Sequence, residues 1–144
     1  MSSFRKLMAG PEMSQSARIG FYIAGVVLGG MSALLGTVTH SGGIDGGITG
    51  VVVALLTILA GSAAFLLLSG STGWVCYGLG LLLTLLLSSM HSDGDGIGTI
   101  NQYLTTWWSY GAPAALLLGV VVAWIGYLIL GADQASDTDN TDSN

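Results

Sequence analysis

Four long apolar stretches without an ionisable side chain constrain the fold of this chain more than any other feature. They cover residues 19–39, 48–68, 74–90 and 112–130, and none contains Asp, Glu, Lys, Arg or His. About 20 helical residues cross the roughly 30 Å hydrocarbon core of a bilayer, and each stretch is close to that length. The sequence therefore predicts four transmembrane helices.

Helices are favoured over barrel strands because the apolar runs, such as GVVVALL, do not alternate with a period of two. The first stretch is too long for the apolar core of a signal peptide, and no clear small-x-small cleavage site follows it. We predict an all-α, integral membrane four-helix bundle. Only 8% of the 144 residues are charged, against about 25% in soluble domains, which excludes a nucleic-acid-binding protein and an ordinary soluble enzyme.

The orientation of the bundle is predicted from its basic residues. All three, Arg5, Lys6 and Arg18, precede the first stretch, and Lys and Arg concentrate on the cytoplasmic side of membrane proteins. Four spans then place both termini in the cytoplasm of a multi-pass protein of the plasma membrane.

Three regions follow from this topology. Residues 1–18 form a cytoplasmic N-terminal segment, and residues 19–131 form the four-helix transmembrane domain. Residues 132–144 form a polar, acidic cytoplasmic tail, whose composition predicts disorder because it cannot bury enough apolar surface to offset its ordering entropy.

The apolar stretches lack the groups that intramembrane chemistry requires. Ion-coupled transporters and proton pumps place ionisable residues inside the membrane, whereas the only glutamate of this chain, Glu12, precedes the first stretch. Cys76 is the only cysteine, so no intrachain disulfide can form. We expect no enzymatic activity, no proton-coupled transport and no cofactor.

Small residues recur along one face of the first span, at Gly25, Gly29, Ala33 and Gly36. Small residues let helix backbones approach closely in a bilayer. The pattern fits packing within the four-helix bundle, and it also fits a docking face for a partner protein or a second copy of the chain.

Histidine and aspartate residues follow the first and third spans, in two outer loops with similar sequences. His40 and Asp45 lie in the first loop, and His91, Asp93 and Asp95 lie in the second. Imidazole and carboxylate groups of this kind could bind Zn or Cu(II). The alternative interpretation is that they are solvated loop residues. This similarity is compatible with duplication of a two-span hairpin, and also with two unrelated glycine- and aspartate-rich loops.

Aromatic residues are concentrated just before the fourth span. Tyr103, Trp107, Trp108 and Tyr110 belong to residue types enriched at membrane interfaces. We predict a short interfacial segment on the outer leaflet over residues 97–111, with an exposed aromatic patch for a partner as the alternative.

Two further predictions concern the ends of the last two spans. Pro113 is expected in the first turn of the fourth helix, where its missing N–H costs nothing. Trp74 and Tyr77 are expected at the cytoplasmic boundary of the third span.

The second half of the chain has a recognisable order of segments. The third span is followed by a Gly/Asp-rich outer loop, an aromatic stretch and an Ala/Leu/Gly/Val-rich fourth span. This layout resembles small four-span actinobacterial membrane proteins of unknown function, in which the loop typically reads Arg-Pro-Glu-Gly-Asp. Residues 91–95 of this chain read HSDGD. Actinobacterial respiratory supercomplexes, which join a cytochrome bcc complex to an oxidase, are similar in using small helical accessory subunits. This second similarity is one of context and carries no shared motif.

The sequence thus predicts a non-catalytic accessory or structural subunit of a larger membrane complex, embedded in the lipid bilayer. Two alternatives remain open. One is a homo-oligomeric pore or small-solute passage, and the other is a metal-responsive membrane protein that uses His40, His91, Asp93 and Asp95.

Overall fold

The structure, a computed structural model, describes residues 3–39, 47–90 and 102–141, and nearly all of them are helical. Three of the helices are long and apolar enough to cross a membrane. The four helices are α1 (Ser3–Ala9), α2 (Gln15–Thr39), α3 (Ile48–Met90) and α4 (Gln102–Thr141).

Helix α3 is too long for a single crossing. Its 43 residues would extend for about 65 Å if straight, roughly twice the thickness of a hydrocarbon core. Gly70 interrupts it with φ 70° and ψ −164°, a conformation that is essentially restricted to glycine. Gly70 divides α3 into a first half, residues 48–69, and a second half, residues 71–90.

Contacts between the two halves show that the chain reverses direction at Gly70. The indole Nε1 of Trp74 donates a hydrogen bond of 2.8 Å to the Oγ of Ser62, although these residues would be about 18 Å apart in a straight helix. The rings of Phe65 and Tyr77 stack with their centroids 5.2 Å apart. The two halves therefore form an antiparallel helical hairpin.

Helices α2 and α4 pack on this hairpin and touch each other little. The second half of α3 lies against α2, where a Cβ added to Gly25 would be 3.2 Å from the carbonyl oxygen of Gly73. It also lies against α4, where a Cβ added to Gly78 would be 3.2 Å from a methyl group of Leu116. The α3 hairpin is thus the centre of the fold.

Helix α1 folds back onto the bundle beside the Gly70 turn. Leu7 is 3% exposed, and the rings of Phe4 and Trp124 meet edge to face at 5.3 Å. The core cluster around Leu7 also contains Ala63, Leu66 and Ala123. The N-terminal segment is therefore part of the packed structure.

The turn between α1 and α2 is defined by a glycine and a cap. Gly10, with φ 71°, follows the last turn of α1, and its N–H donates to the carbonyl of Leu7 at 3.3 Å. The Oγ of Ser14 accepts from the N–H of Ala17 at 3.3 Å, which caps the start of α2.

Helix α4 differs from its predicted limits at both ends. Residues 102–111 form the first turns of α4 and do not form a separate interfacial helix. Pro113 therefore lies inside the helix and not in its first turn. Membrane helices tolerate internal proline where their neighbours compensate. The helix also continues through Thr141, where composition predicted a disordered tail, because extending an existing helix costs less than nucleating one.

Candidate functional site

The proposed metal ligands fall on a part of the chain that is not described. His40, His91, Asp93 and Asp95 all lie outside residues 3–39, 47–90 and 102–141. Among the described residues, no group of three or more His, Cys, Asp or Glu side chains could hold a metal. The outer-loop metal site stays a prediction, which equilibrium dialysis of the purified protein against Zn or Cu would test.

The small-residue face of α2 lies inside the chain. Gly25, Gly29, Ala33 and Gly36 are all buried. A Cβ at Gly36 would collide with the indole ring of Trp108. This face packs against the chain's own helices and is not available for docking a partner, so large residues here are expected to disrupt the fold.

The four aromatic residues at the start of α4 divide into two groups. Tyr103, Trp107 and Tyr110 are 79%, 69% and 77% exposed, whereas Trp108 is 3% exposed. Trp108 therefore does not belong to the exposed aromatic surface, because the helical rotation directs its ring toward Gly36, while the interfacial depth of all four residues stays a prediction.

The three exposed aromatic residues share one face of α4, since their spacing of four and then three residues follows the helical repeat. We call Tyr103, Trp107 and Tyr110 the outer aromatic ridge. The same helix continues with outward apolar side chains that are about half exposed, namely Leu117, Val121, Ile125 and Leu128.

Buried polar groups tie the helices together. Ser62 is fully buried; its Oγ donates to the carbonyl of Leu116 at 2.6 Å and accepts from Trp74. One hydroxyl therefore connects both halves of α3 with α4. Ser62 is one of several serines in the apolar stretches, and only its place next to Gly61 indicates close packing there.

A second polar link connects α3 with α2. The hydroxyl of Tyr77 and the Oγ of Ser32 are 3.1 Å apart, and the Oγ of Ser32 donates to the carbonyl of Leu28 at 2.8 Å. Tyr77 is 1% exposed, so its ring packs inside the bundle, and its predicted position at a membrane boundary stays a prediction. It is a core residue whose hydroxyl is bonded within the bundle.

A cavity of about 300 Å³ lies at the junction of α1, α3 and α4. It combines one cationic and one phenolic side chain with apolar walls, and none of its lining residues is acidic. The lining residues are Lys6, Leu7, Gly10, Pro11, Leu67 and Tyr127.

Comparisons with protein-family models, curated proteins and solved structures gave no match to this chain. The resemblance to four-span actinobacterial proteins therefore remains a proposal.

Proposed function

We propose that the chain crosses the plasma membrane four times, with both termini in the cytoplasm. The reversal at Gly70 supports two crossings within α3, one for each half. Helix α1 packs against the same turn, since a Cβ added to Gly70 would be 2.8 Å from the backbone nitrogen of Gly10. Arg5 and Lys6 on α1 thus lie at the turn end of the bundle, which favours the cytoplasmic side for that end.

Reporter fusions test this topology. Fusions after Gly43 and Ser92 are expected to be active only outside the cytoplasm, and a fusion after Asn144 only inside. A cytoplasmic signal from either of the first two positions would contradict the four-span arrangement.

Within this topology, the protein acts as a non-catalytic accessory subunit of a larger membrane complex. The outer aromatic ridge is the observation that carries the proposal. Three large aromatic side chains stand at least 69% exposed on one face of a continuous helix. Tyr and Trp in such positions are typical anchors of protein interfaces, because they supply large contact areas together with polar atoms.

The interior supports a structural role over a solute passage through a single copy. Ile58, Leu66, Tyr77 and Leu81 are each at most 1% exposed and fill the space between the helices. The buried hydroxyl of Ser62 is bonded to neighbouring helices, so it does not line a polar path.

Native mass spectrometry after solubilisation in mild detergent tests the accessory role. The unmodified protein is expected to appear in a complex with larger membrane proteins, and the double variant W107A/Y110A is expected to dissociate from it. The control is L34A/L35A, which truncates two side chains of α2 that are 52% and 57% exposed. This control should leave the complex intact.

The result also separates the other two functions. A defined homo-oligomer without larger partners would favour a pore formed between copies, and a monomer with bound metal would favour the metal-responsive protein. Only monomer, without metal, across several gentle detergents would contradict the accessory role. If larger partners are found, their redox cofactors would show whether the complex is respiratory, as the analogy with actinobacterial supercomplexes suggests.

A further inference from the structure

The cavity beside α1 has the composition of a site for an amphipathic anion. Lys6 provides an ammonium group and Tyr127 a phenolic hydroxyl, while Leu7, Pro11 and Leu67 provide apolar walls. Glu12 is nearby in sequence but does not line the cavity. The lining thus offers positive charge and apolar surface together.

The position of the cavity matches the depth of a lipid headgroup. Tyr127 lies three residues before Leu130, the last residue of the fourth apolar stretch. Leu67 lies three residues before the Gly70 turn, which ends the first half of α3. Leu67 is 36% exposed, so this wall of the cavity reaches the outer surface of the bundle, where acyl chains would lie.

We propose that this cavity binds the phosphate headgroup of an anionic phospholipid, with Lys6 and Tyr127 contacting the phosphate and Leu67 contacting the acyl chains. The inference rests on the membrane placement proposed above and is independent of the accessory role. Basic pockets between transmembrane helices on the cytoplasmic side bind anionic headgroups in this way. A free phosphate ion shares the headgroup chemistry, but it would use only the ammonium and hydroxyl and leave the apolar walls unoccupied.

Lipid retention in nanodiscs tests the proposal. The full chain would be reconstituted in equimolar phosphatidylglycerol and phosphatidylcholine, released gently, and its bound lipids identified by native mass spectrometry. We expect preferential retention of phosphatidylglycerol. Lys6→Gln should reduce this preference at least about tenfold, because it removes a charge-assisted hydrogen bond to the phosphate.

Arg5→Gln is the matched control, because Arg5 precedes Lys6 on α1 and is exposed but does not line the cavity. It should leave the preference nearly unchanged. Equal losses in the two variants would show diffuse attraction to the whole basic segment and would overturn the proposal.

A second pair of variants tests the cavity without changing charge. Leu67→Trp should fill it and reduce retention, whereas Leu68→Trp, at a 54% exposed neighbour that is not part of the lining, should not. Retention unaffected by Leu67→Trp would contradict the site.

Millimolar inorganic phosphate should not displace the lipid, and displacement would reassign the cavity to a soluble phosphate. Because these readouts use lipid-reconstituted protein without partners, they do not depend on the accessory complex.

Discussion

Gly29 lies directly against the main-chain carbonyl of Tyr77, leaving no room for a Cβ between them. Gly80 lies in the same way against the carbonyl of Val26. Val26 and Gly29 are three residues apart, as are Tyr77 and Gly80. Each of the two helices thus presents a glycine to a carbonyl of the other, and this reciprocal contact sets the close distance between α2 and the second half of α3.

Gly29→Ala is expected to destabilise the protein by about 1–3 kcal/mol, the range for overpacking in a well-packed core. The added methyl group would meet backbone atoms of Tyr77, which cannot move aside as a flexible side chain could. Unfolding by SDS, followed by circular dichroism, measures the change. Gly20→Ala is the control, because nothing lies within 4 Å of that position. Similar stability for both variants would contradict the close packing.

Ser62→Ala is expected to cost about 1–3 kcal/mol, because it leaves the Trp74 indole N–H without its buried partner and removes the bond to α4 at the Leu116 carbonyl. Thr57→Ala serves as the control, since the Thr57 hydroxyl is exposed and bonds to Val53 of its own helix. A double-mutant cycle with Trp74→Phe isolates the Trp74–Ser62 bond. Strictly additive effects would show that this hydrogen bond contributes nothing.

Gly70→Ala is expected to destabilise the hairpin within α3 by about 1–3 kcal/mol or more, because its backbone conformation is essentially limited to glycine. The added methyl group would also approach the carbonyl oxygen of Met8 to 2.8 Å, so α1 should be displaced. Faster proteolysis at the end of α1 would report this. Gly126→Ala, at an open position of α4, should leave both properties unchanged.

The all-helical fold and its long apolar helices were predictable, because uniform apolar runs of membrane length admit few other structures. The burial of Gly25 and Gly29 was also predictable, since this spacing of small residues is typical of close helix packing in membranes. The sequence left open whether that packing was within the chain or with a partner. Only the contacts with Gly73 and Tyr77 resolve this.

Other features depend on tertiary contacts that the pattern does not encode. The start of α4 is aromatic on two faces, so periodicity could not separate Trp107 from Trp108. The docking of α1 depends on Leu7, which contacts residues far away in sequence. Residue type alone does not indicate that the Tyr77 hydroxyl has a partner inside the bundle, which Ser32 of α2 provides.

Truncation after Gly131 is expected to leave membrane abundance and stability unchanged. Residues 132–144 contain four aspartates and no large apolar side chain, so they have little to bury. Quantitative immunoblotting of membrane fractions measures the abundance of the truncated chain. A large loss would show that the last part of α4, which ends at Thr141, makes a stabilising contact.

The neighbouring residues Trp107 and Trp108 offer the sharpest separation between interaction and folding. Trp108→Ala is expected to destabilise the protein by about 3–5 kcal/mol, because it removes a large buried ring and leaves a cavity beside Gly36. Trp107→Ala should change stability by less than about 0.5 kcal/mol, since its ring is 69% exposed. Unfolding in SDS measures the stability of both variants. Co-purification in mild detergent then measures whether the stable variant, Trp107→Ala, still binds its partners. If Trp107→Ala were as unstable as Trp108→Ala, the exposed position of Trp107 in the outer aromatic ridge would be contradicted. If Trp107→Ala kept all of its partners, Trp107 would not belong to the proposed interface.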